Sequence, residues 1–382
     1  MSDGATKGTT TPTAPSTMMT TAIDKTPIGT IMIDHLSFPH IIDVIYCYSS
    51  HEALLSLRTA SRAHKMRADS LLTAHVVMII TRPQDSNGRA IQPVDNSLPF
   101  VSFEGRRGTR IPSLHAYSTP KLFWKVKRQL SNILGSTTVL DIIDNFLQPQ
   151  IYSGLTKAAP HLSTLRSLYN HETHSSLYPL EPKYDIESPA SLFLHIGTQE
   201  RTPPLLGQRY NHPMARTADY IIFFPTVPVG TRRAVLNFQL NTRDPRIFFC
   251  LLGDTFPPTL EEMTIIFTPI HGPLPAPTRS DSLRTATWFE FGTKILINVP
   301  KVRFTIVGMA ALHPDTFDRD GPYASNQELY QCLIQDMYRG ALVLGLEGAT
   351  TLEVLENNIQ WVTHEEYRQR VDPAQWEMQM IR

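Results

Sequence analysis

The sequence predicts an α/β protein: a short helical segment near the N-terminus, then a mainly parallel sheet with helices, wound as a solenoid-like array or as an open sheet. Three observations lead there. Short, wholly apolar, β-branched runs recur along most of the chain, the mark of strands covered on both faces. Connections of roughly 10–30 residues separate them, long enough for crossovers between parallel strands. The segment before the first run instead carries apolar residues at helical spacing.

Residues 1–27 are rich in Thr, Ser, Pro and Ala and nearly devoid of large apolar groups. Such a stretch cannot bury enough surface to offset the entropy of ordering, so a disordered tail is expected. Residues 28–74 read as a helical module. Phe38, Ile41, Ile42 and Ile45 fall at i, i+3, i+4 and i+7 and make one stripe. Pro39 lies near the helix start, where its missing N–H costs nothing. Ser49 and Glu52 have capping-box spacing, with Ser49 as N-cap, and open a second helix through Ala53, Leu54, Leu57 and Ala60. A third helix, about His64–Ala74, carries Met66, Leu71 and Leu72. Helices this short must pack on one another or on the next domain.

Residues 75–382 read as the α/β domain. His75–Ile80 is a continuous β-branched run and the first strand. Residues 82–120 are rich in Pro, Gly and polar groups and predict a long irregular insertion. A helix follows at about Pro120–Leu134, with Leu122, Phe123, Val126 and Leu130 on one face. Strands are expected at Thr138–Ile143, Leu162–Leu168, Tyr220–Phe224, Ala234–Leu240, Ile247–Leu252, Met263–Thr268, Val302–Val307 and Ile359–Val362. A second irregular insertion, 169–219, holds one apolar patch at Ser191–Ile196. Helices are expected at about Ser282–Val299 and Asn326–Met337. A last one starts near Thr363, with Glu365 and Glu366 in its first turn. The array resembles leucine-rich repeats only irregularly, because the strict Leu pattern with Asn or Cys is absent and the strand spacing is not constant. An open wound sheet is the alternative.

Composition narrows the function. A chain of 382 residues holds one small module plus one large domain, or two to three domains. Prolines number 30 against 19 glycines, so many reversals use a fixed φ and not a left-handed turn. Lys+Arg and Asp+Glu are both 35, so the large positive excess of a phosphate-gripping protein is missing and nucleic acid is not expected as a partner. The basic stretches Arg106–Arg110 and Lys125–Arg128 read as solvated surface. Cys47, Cys250 and Cys332 are far apart and odd in number, which gives neither a disulfide framework nor zinc spacing. No run approaches the length of a membrane span and no secretory leader is recognisable, so no membrane partner is expected and the location is read as cytoplasmic or nuclear.

Residues 38–62 bring in a family. Phe38-Pro39 is followed by Ile41-Ile42 and Ile45. Then come Leu54-Leu55-Ser56-Leu57-Arg58 and Ser61-Arg62. This order and approximate spacing resemble the F-box module, and the chain looks like uncharacterised fungal F-box-like proteins in which the helices precede a long α/β region. His40 stands where that module usually has an acid, and His64 where it has an aromatic. The resemblance implies docking to a Skp-type adaptor of a cullin ubiquitin ligase, with the C-terminal region recruiting a protein target. The adaptor-facing candidates it implies are Phe38, Pro39, Ile42, Ile45, Leu54 and Leu55. Apolar anchors at this spacing suit a helix-in-groove contact. The alternative is that the same residues pack internally and the helices only cap the domain.

Catalytic signatures are not found. His171 and His174 are three apart, where a helical zinc site needs four with a Glu between. Asp315–Gly321 hints at a calcium loop, but with Gly321 at loop position 6, Thr316 and Gln327 fall at the end positions that need acids. Gly135-Ser136 and Gly253-Asp254 read as ordinary turns after apolar runs. No nucleophile elbow, phosphate loop or dinucleotide fingerprint occurs. The expected function is a non-catalytic interaction adaptor with no cofactor and no metal. The alternatives are a degenerate α/β enzyme or small-ligand binder with an unrecognised site, and a purely structural scaffold. A deep pocket with converging titratable groups at the strand carboxyl ends would mark the second class.

Overall fold

A computed structural model describes residues 38–81, 100–143, 157–169, 188–198, 220–225, 227–240, 247–251, 256–269, 291–309, 325–346 and 350–380, with short pieces at 155, 200–201 and 348. The chain divides into two compact units, residues 1–49 and 50–382.

The described part of the first unit is helix α1, Pro39–Tyr48. Phe38 is its N-cap and Pro39 takes the first helical position, where a proline loses no hydrogen bond. Tyr46 is buried, while Phe38, Ile41, Val44, Ile45 and Tyr48 are exposed. The helix ends as Ser49 turns its hydroxyl back to the Ile45 carbonyl at 2.6 Å.

The second unit opens with α2, His51–Leu57, and α3, Arg62–Leu72. The cap of α2 is Ser50, one residue later than predicted, and its Oγ accepts from the Ala53 amide at 3.2 Å. Ser49 cannot serve because its hydroxyl is engaged with Ile45. Ser61 caps α3 in the same way through the His64 amide. Arg58 Nε lies 2.5 Å from Asp69 Oδ1 and ties α2 to α3.

The rest is an α/β fold on a mostly parallel sheet that joins ten strands among the described residues. Eight run parallel and lie side by side in chain order: β1 His75–Thr81, β4 Val139–Ile143, β5 Thr164–Tyr169, β6 Leu192–Thr198, β9 Arg233–Leu240, β11 Glu262–Pro269, β12 Arg303–Val307 and β13 Ile359–Val362. The order never reverses, so these strands form no topological switch point of the kind that seats nucleotides in doubly wound folds. A repeated polar detail marks the starts of β4, β5 and β6. Thr138 Oγ1 donates to the Ala74 carbonyl at 3.1 Å, Ser163 Oγ to Thr138 at 3.0 Å, and Ser191 Oγ to Ser163 at 3.5 Å. At these three starts a hydroxyl ties the strand to its predecessor.

Two predicted segments turn out differently. Part of the expected irregular stretch 82–120 is strand β2, Phe100–Gly105, which pairs antiparallel with β1 from Val76↔Gly105 to Thr81↔Phe100. The apolar Phe100, Val101 and Phe103 drive it, and their polar flanks hid it in the sequence. The expected helix from Pro120 is broken into β3 Lys121–Leu122, α4 Phe123–Lys127 and α5 Leu130–Leu134. The Gln129 amide turns back to the Val126 carbonyl at 2.7 Å and separates the two helices. A second, three-stranded sheet contains β7 Glu200–Arg201, β8 Tyr220–Phe224 and β10 Ile247–Leu251.

The two faces of the main sheet differ. One carries Met78, Leu140, Leu236, Ile265, Phe267 and Ile306, all buried. Helix α6, residues 291–298, and α7, Asn326–Val343, cover its far end. The Phe291 ring lies 5.8 Å from that of Phe267, and Tyr330 stacks on Trp361 at 5.6 Å. Each such side chain contributes roughly 1.5–3 kcal/mol over leaving it exposed, so this face holds sheet and helices together. The opposite face is not the second apolar surface that the runs predicted. It alternates apolar residues with His75, Asp141, Arg166, Thr264, Thr305 and Gln360. Two C-terminal helices cover part of it, after α8, Leu352–Asn358, leads into β13. They are α9, His364–Arg370, and α10, Pro373–Met380, packed against Leu194, Val235, Ile266, Val307 and Val362.

Candidate functional site

The parallel register sets Asp141 of β4 directly beside Arg166 of β5 on the mixed face. Both residues are 5% exposed, and Arg166 Nη1 stands 3.3 Å from Asp141 Oδ2. His75 Nε2 lies 3.0 Å from the same oxygen, near enough to pair when the imidazole is protonated but not aligned as a hydrogen bond. Asp141 Oδ1 has no hydrogen-bond donor among the described residues. Burial pushes the Arg166 pKa down, while the Asp141 charge pushes it back up. A guanidinium nonetheless keeps its proton. Taking two charges out of water costs several kcal/mol per ion, so a buried pair that leaves an oxygen unsatisfied is a feature that stability alone does not explain.

A cavity of about 210 Å³ opens above the pair. Its floor includes Asp141 and Arg166, and its rim is built by Glu104, Arg106, Arg107 and Glu377. Glu104 comes from β2, and the arginines from the tight turn that follows it. Arg107 has φ 58°, ψ 33°, the left-handed region, and is the non-glycine residue with positive φ among the described residues. That conformation costs about 1 kcal/mol and tends to persist where function requires it. Glu377 arrives from α10, ion-paired with Arg107 and 3.5 Å from Arg106 Nη2.

Buried hydrogen bonds and apolar packing on the sheet seat α10. Asn237 Nδ2 donates to the Gln379 carbonyl at 2.9 Å, and the Tyr367 hydroxyl to Gln379 Oε1 at 2.9 Å. The Trp376 ring tilts against Tyr367 at 6.1 Å. Gln379 is the one buried residue of this helix.

Chemically, the cavity offers fixed cations facing fixed carboxylates. No Ser, Thr or Cys stands among the described residues that line it, and its carboxylates are Glu104, Asp141 and Glu377. It is smaller than the roughly 300–1,000 Å³ usual for small-molecule sites. Among the described residues no three His, Cys, Asp or Glu side chains group to hold a metal, and no helix is long and apolar enough to cross a membrane.

The residues implied by the F-box resemblance are placed unevenly. On α1, Phe38 and Ile45 are 45% and 46% exposed, Pro39 is exposed and Ile42 is half-buried. On α2, Leu54 is buried and Leu55 half-buried. Ile41, Val44 and Tyr48, which were not among the candidates, are also exposed on α1. His171, His174, Gly253-Asp254 and Asp315–Gly321 lie outside the described residues. Gly135 closes α5, and an added Cβ would stand 2.6 Å from the Ser131 carbonyl, which is turn behaviour. Cys47 is exposed and Cys332 half-buried, and neither is in a disulfide. The Asp141–Arg166 pair was missed. Its only trace in the sequence is a charge in the middle of each apolar run, Val139-Leu140-Asp141-Ile142-Ile143 and Thr164-Leu165-Arg166-Ser167-Leu168. No protein-family model, curated protein or solved structure matches the chain.

Proposed function

We propose that this chain is a non-catalytic interaction protein, in which α1 docks a Skp-type adaptor and the sheet domain holds a protein target, as an F-box substrate receptor of a cullin ubiquitin ligase does. The observation that carries the proposal is the side of α1 left open to solvent. Phe38, Ile41, Val44 and Ile45 are 45–56% exposed and Tyr48 is 87% exposed, all on one ten-residue helix and its N-cap. A contiguous apolar stripe of this kind marks an interaction surface, and its spacing suits a helix laid into a groove.

The sheet supports the second half. Strands added one after another in chain order, with a hydroxyl repeated at the starts of β4, β5 and β6, favour an irregular leucine-rich-repeat-like array over an open wound sheet. Such arrays present one sheet face to partners. The function places the chain in the cytoplasm or nucleus. The test is co-expression of the full chain with the host's Skp-type adaptor and cullin. Co-elution of all three supports the reading, and a chain that elutes alone refutes the adaptor half.

The cavity favours a second reading, a binder of a small charged ligand. Its modest volume sets it behind the first.

A further inference from the structure

We propose that the β3 end of the main sheet docks the β13 end of a second copy of this chain, head to tail, through opposite charge. This self-association goes beyond the function above and depends on neither its adaptor half nor its target half.

The strand order runs from β13 at one end of the sheet to β3 at the other. Among the described residues no strand pairs with the outer side of either. Around β3 the charge has one sign. From Gly105 to Leu140 there are seven Lys and Arg and no Asp or Glu. Helix α4 packs on β2 and β3 and exposes Lys125 and Lys127, and Arg128 is exposed just after it. Neither these three nor Lys121 of β3 are ion-paired among the described residues.

Around β13 the sign is reversed. From Gly340 to Tyr367 there are five Glu and no Lys or Arg. Helix α8 packs on α7 and β13 and exposes Glu353 and Glu356. Glu365 is exposed on α9, directly after β13. The whole chain is neutral, with 35 Lys+Arg and 35 Asp+Glu, so the two ends differ by placement of charge and not by an overall excess.

Charge at an open sheet edge ordinarily guards it against other chains. Two edges of one sign would repel every copy. Here each edge repels its own kind and attracts the other, which leaves the β3-to-β13 contact as the favoured one.

Both ends also expose apolar surface beside the charges. Trp124 is exposed on α4, with Lys125 Nζ 5.3 Å from its ring centre. At the other end Leu342, Val343 and Leu344 are exposed where α7 stops, and α8 packs on α7. Apolar groups rimmed by charge are the make-up of a specific interface, and tryptophan is a frequent anchor. A nucleic acid would use the basic end alone and leave the acidic end and its apolar residues without a role. The contact is heterologous, so each bound copy keeps one free end and copies add in a row.

The test is sedimentation of the full chain over a concentration series at about 50 mM and about 500 mM salt, on either side of strong screening. In low salt the mean mass should rise with concentration past that of a dimer. In high salt it should return to that of one chain. The triple variant Lys125→Glu/Lys127→Glu/Arg128→Glu and the double variant Glu353→Lys/Glu356→Lys should each stay monomeric. An equal mixture of the two should associate again, because one keeps the acidic end and the other the basic end. That recovery separates lost charge pairing from lost folding. Trp124→Ala should weaken association at least about tenfold.

A chain that stays monomeric in low salt, a mass that stops at two copies, association kept by either charge variant alone, or a mixture that stays monomeric overturns the proposal. So does loss of association in Ile45→Asp, which would assign the contact to α1. A chain that never self-associates but binds a single-stranded RNA oligonucleotide, and loses it in the triple variant, would give the basic end to nucleic acid instead.

Discussion

Asp141 and Arg166 face each other across neighbouring parallel strands, Nη1 to Oδ2 at 3.3 Å, with almost no access to water. Removing one partner strands the other as an uncompensated buried charge. We expect Asp141→Ala or Arg166→Ala alone to cost about 3–5 kcal/mol. The double change Asp141→Leu with Arg166→Met should cost less than either, since apolar groups of similar volume replace a buried pair well. Urea unfolding of the three variants checks the order.

Arg107 lies in the left-handed region and its pair with Glu377 is largely exposed. Relief of backbone strain should therefore outweigh loss of the pair. Arg107→Gly should be neutral or stabilising by up to about 1 kcal/mol, while β-branched Arg107→Val should destabilise. Thermal melting distinguishes the two directions.

Thr363 and Glu366 form a reciprocal capping box at the start of α9, with the Thr363 amide 2.7 Å and its hydroxyl 3.0 Å from Glu366 Oε2. These hydrogen bonds hold the Glu366 carboxyl below its ordinary range. A depressed folded-state value gives stability that is present above the unfolded value and lost as pH falls through the folded one. Thr363→Ala should cost about 1 kcal/mol at neutral pH. The cost should shrink as pH falls below about 4, which denaturant midpoints across that range would show.

His364 has its pKa lowered by burial, against a smaller opposing hydrogen bond with the Phe267 backbone. The folded chain refuses a proton that the unfolded chain accepts, so this residue removes stability as pH falls below about 6.5. His364→Asn should flatten the pH dependence between about 7 and 5. Its neighbour Gly308 has φ +77°, and an added Cβ would stand 2.7 Å from the Phe267 carbonyl and against the His364 ring. Gly308→Ala should therefore destabilise at every pH, by more than the His364 change at neutral pH.

Local signals were legible where one principle acted alone. The uninterrupted apolar run Tyr220–Phe224 and the four residues Ile359–Val362 are strands with those bounds, and Thr363 caps the helix its acids announced. The cap of α2 was misplaced by one residue because two adjacent serines compete and only the Ile45 carbonyl decides between them. Strand β2 was hidden by its polar and glycine-rich surroundings, and α10, which opens on Pro373, was not among the expected helices. The candidate cavity was not legible. The meeting of Asp141 with Arg166 depends on strand register, set by crossovers and by the hydroxyl ladder. The arrival of Glu377 depends on where α10 docks. No spacing along the chain encodes either.

The adaptor half of the proposed function is the claim most directly open to measurement. Purified full-length chain would be titrated calorimetrically with the host's Skp-type adaptor, beside Ile45→Asp and the double variant Ile41→Asp/Val44→Asp, with melting temperatures recorded. These residues are exposed, so the substitutions should leave melting unchanged. The expected result is micromolar or tighter binding by the unsubstituted chain that weakens at least about tenfold in both variants. Absence of binding by the unsubstituted chain, or equal binding by all three, would contradict it.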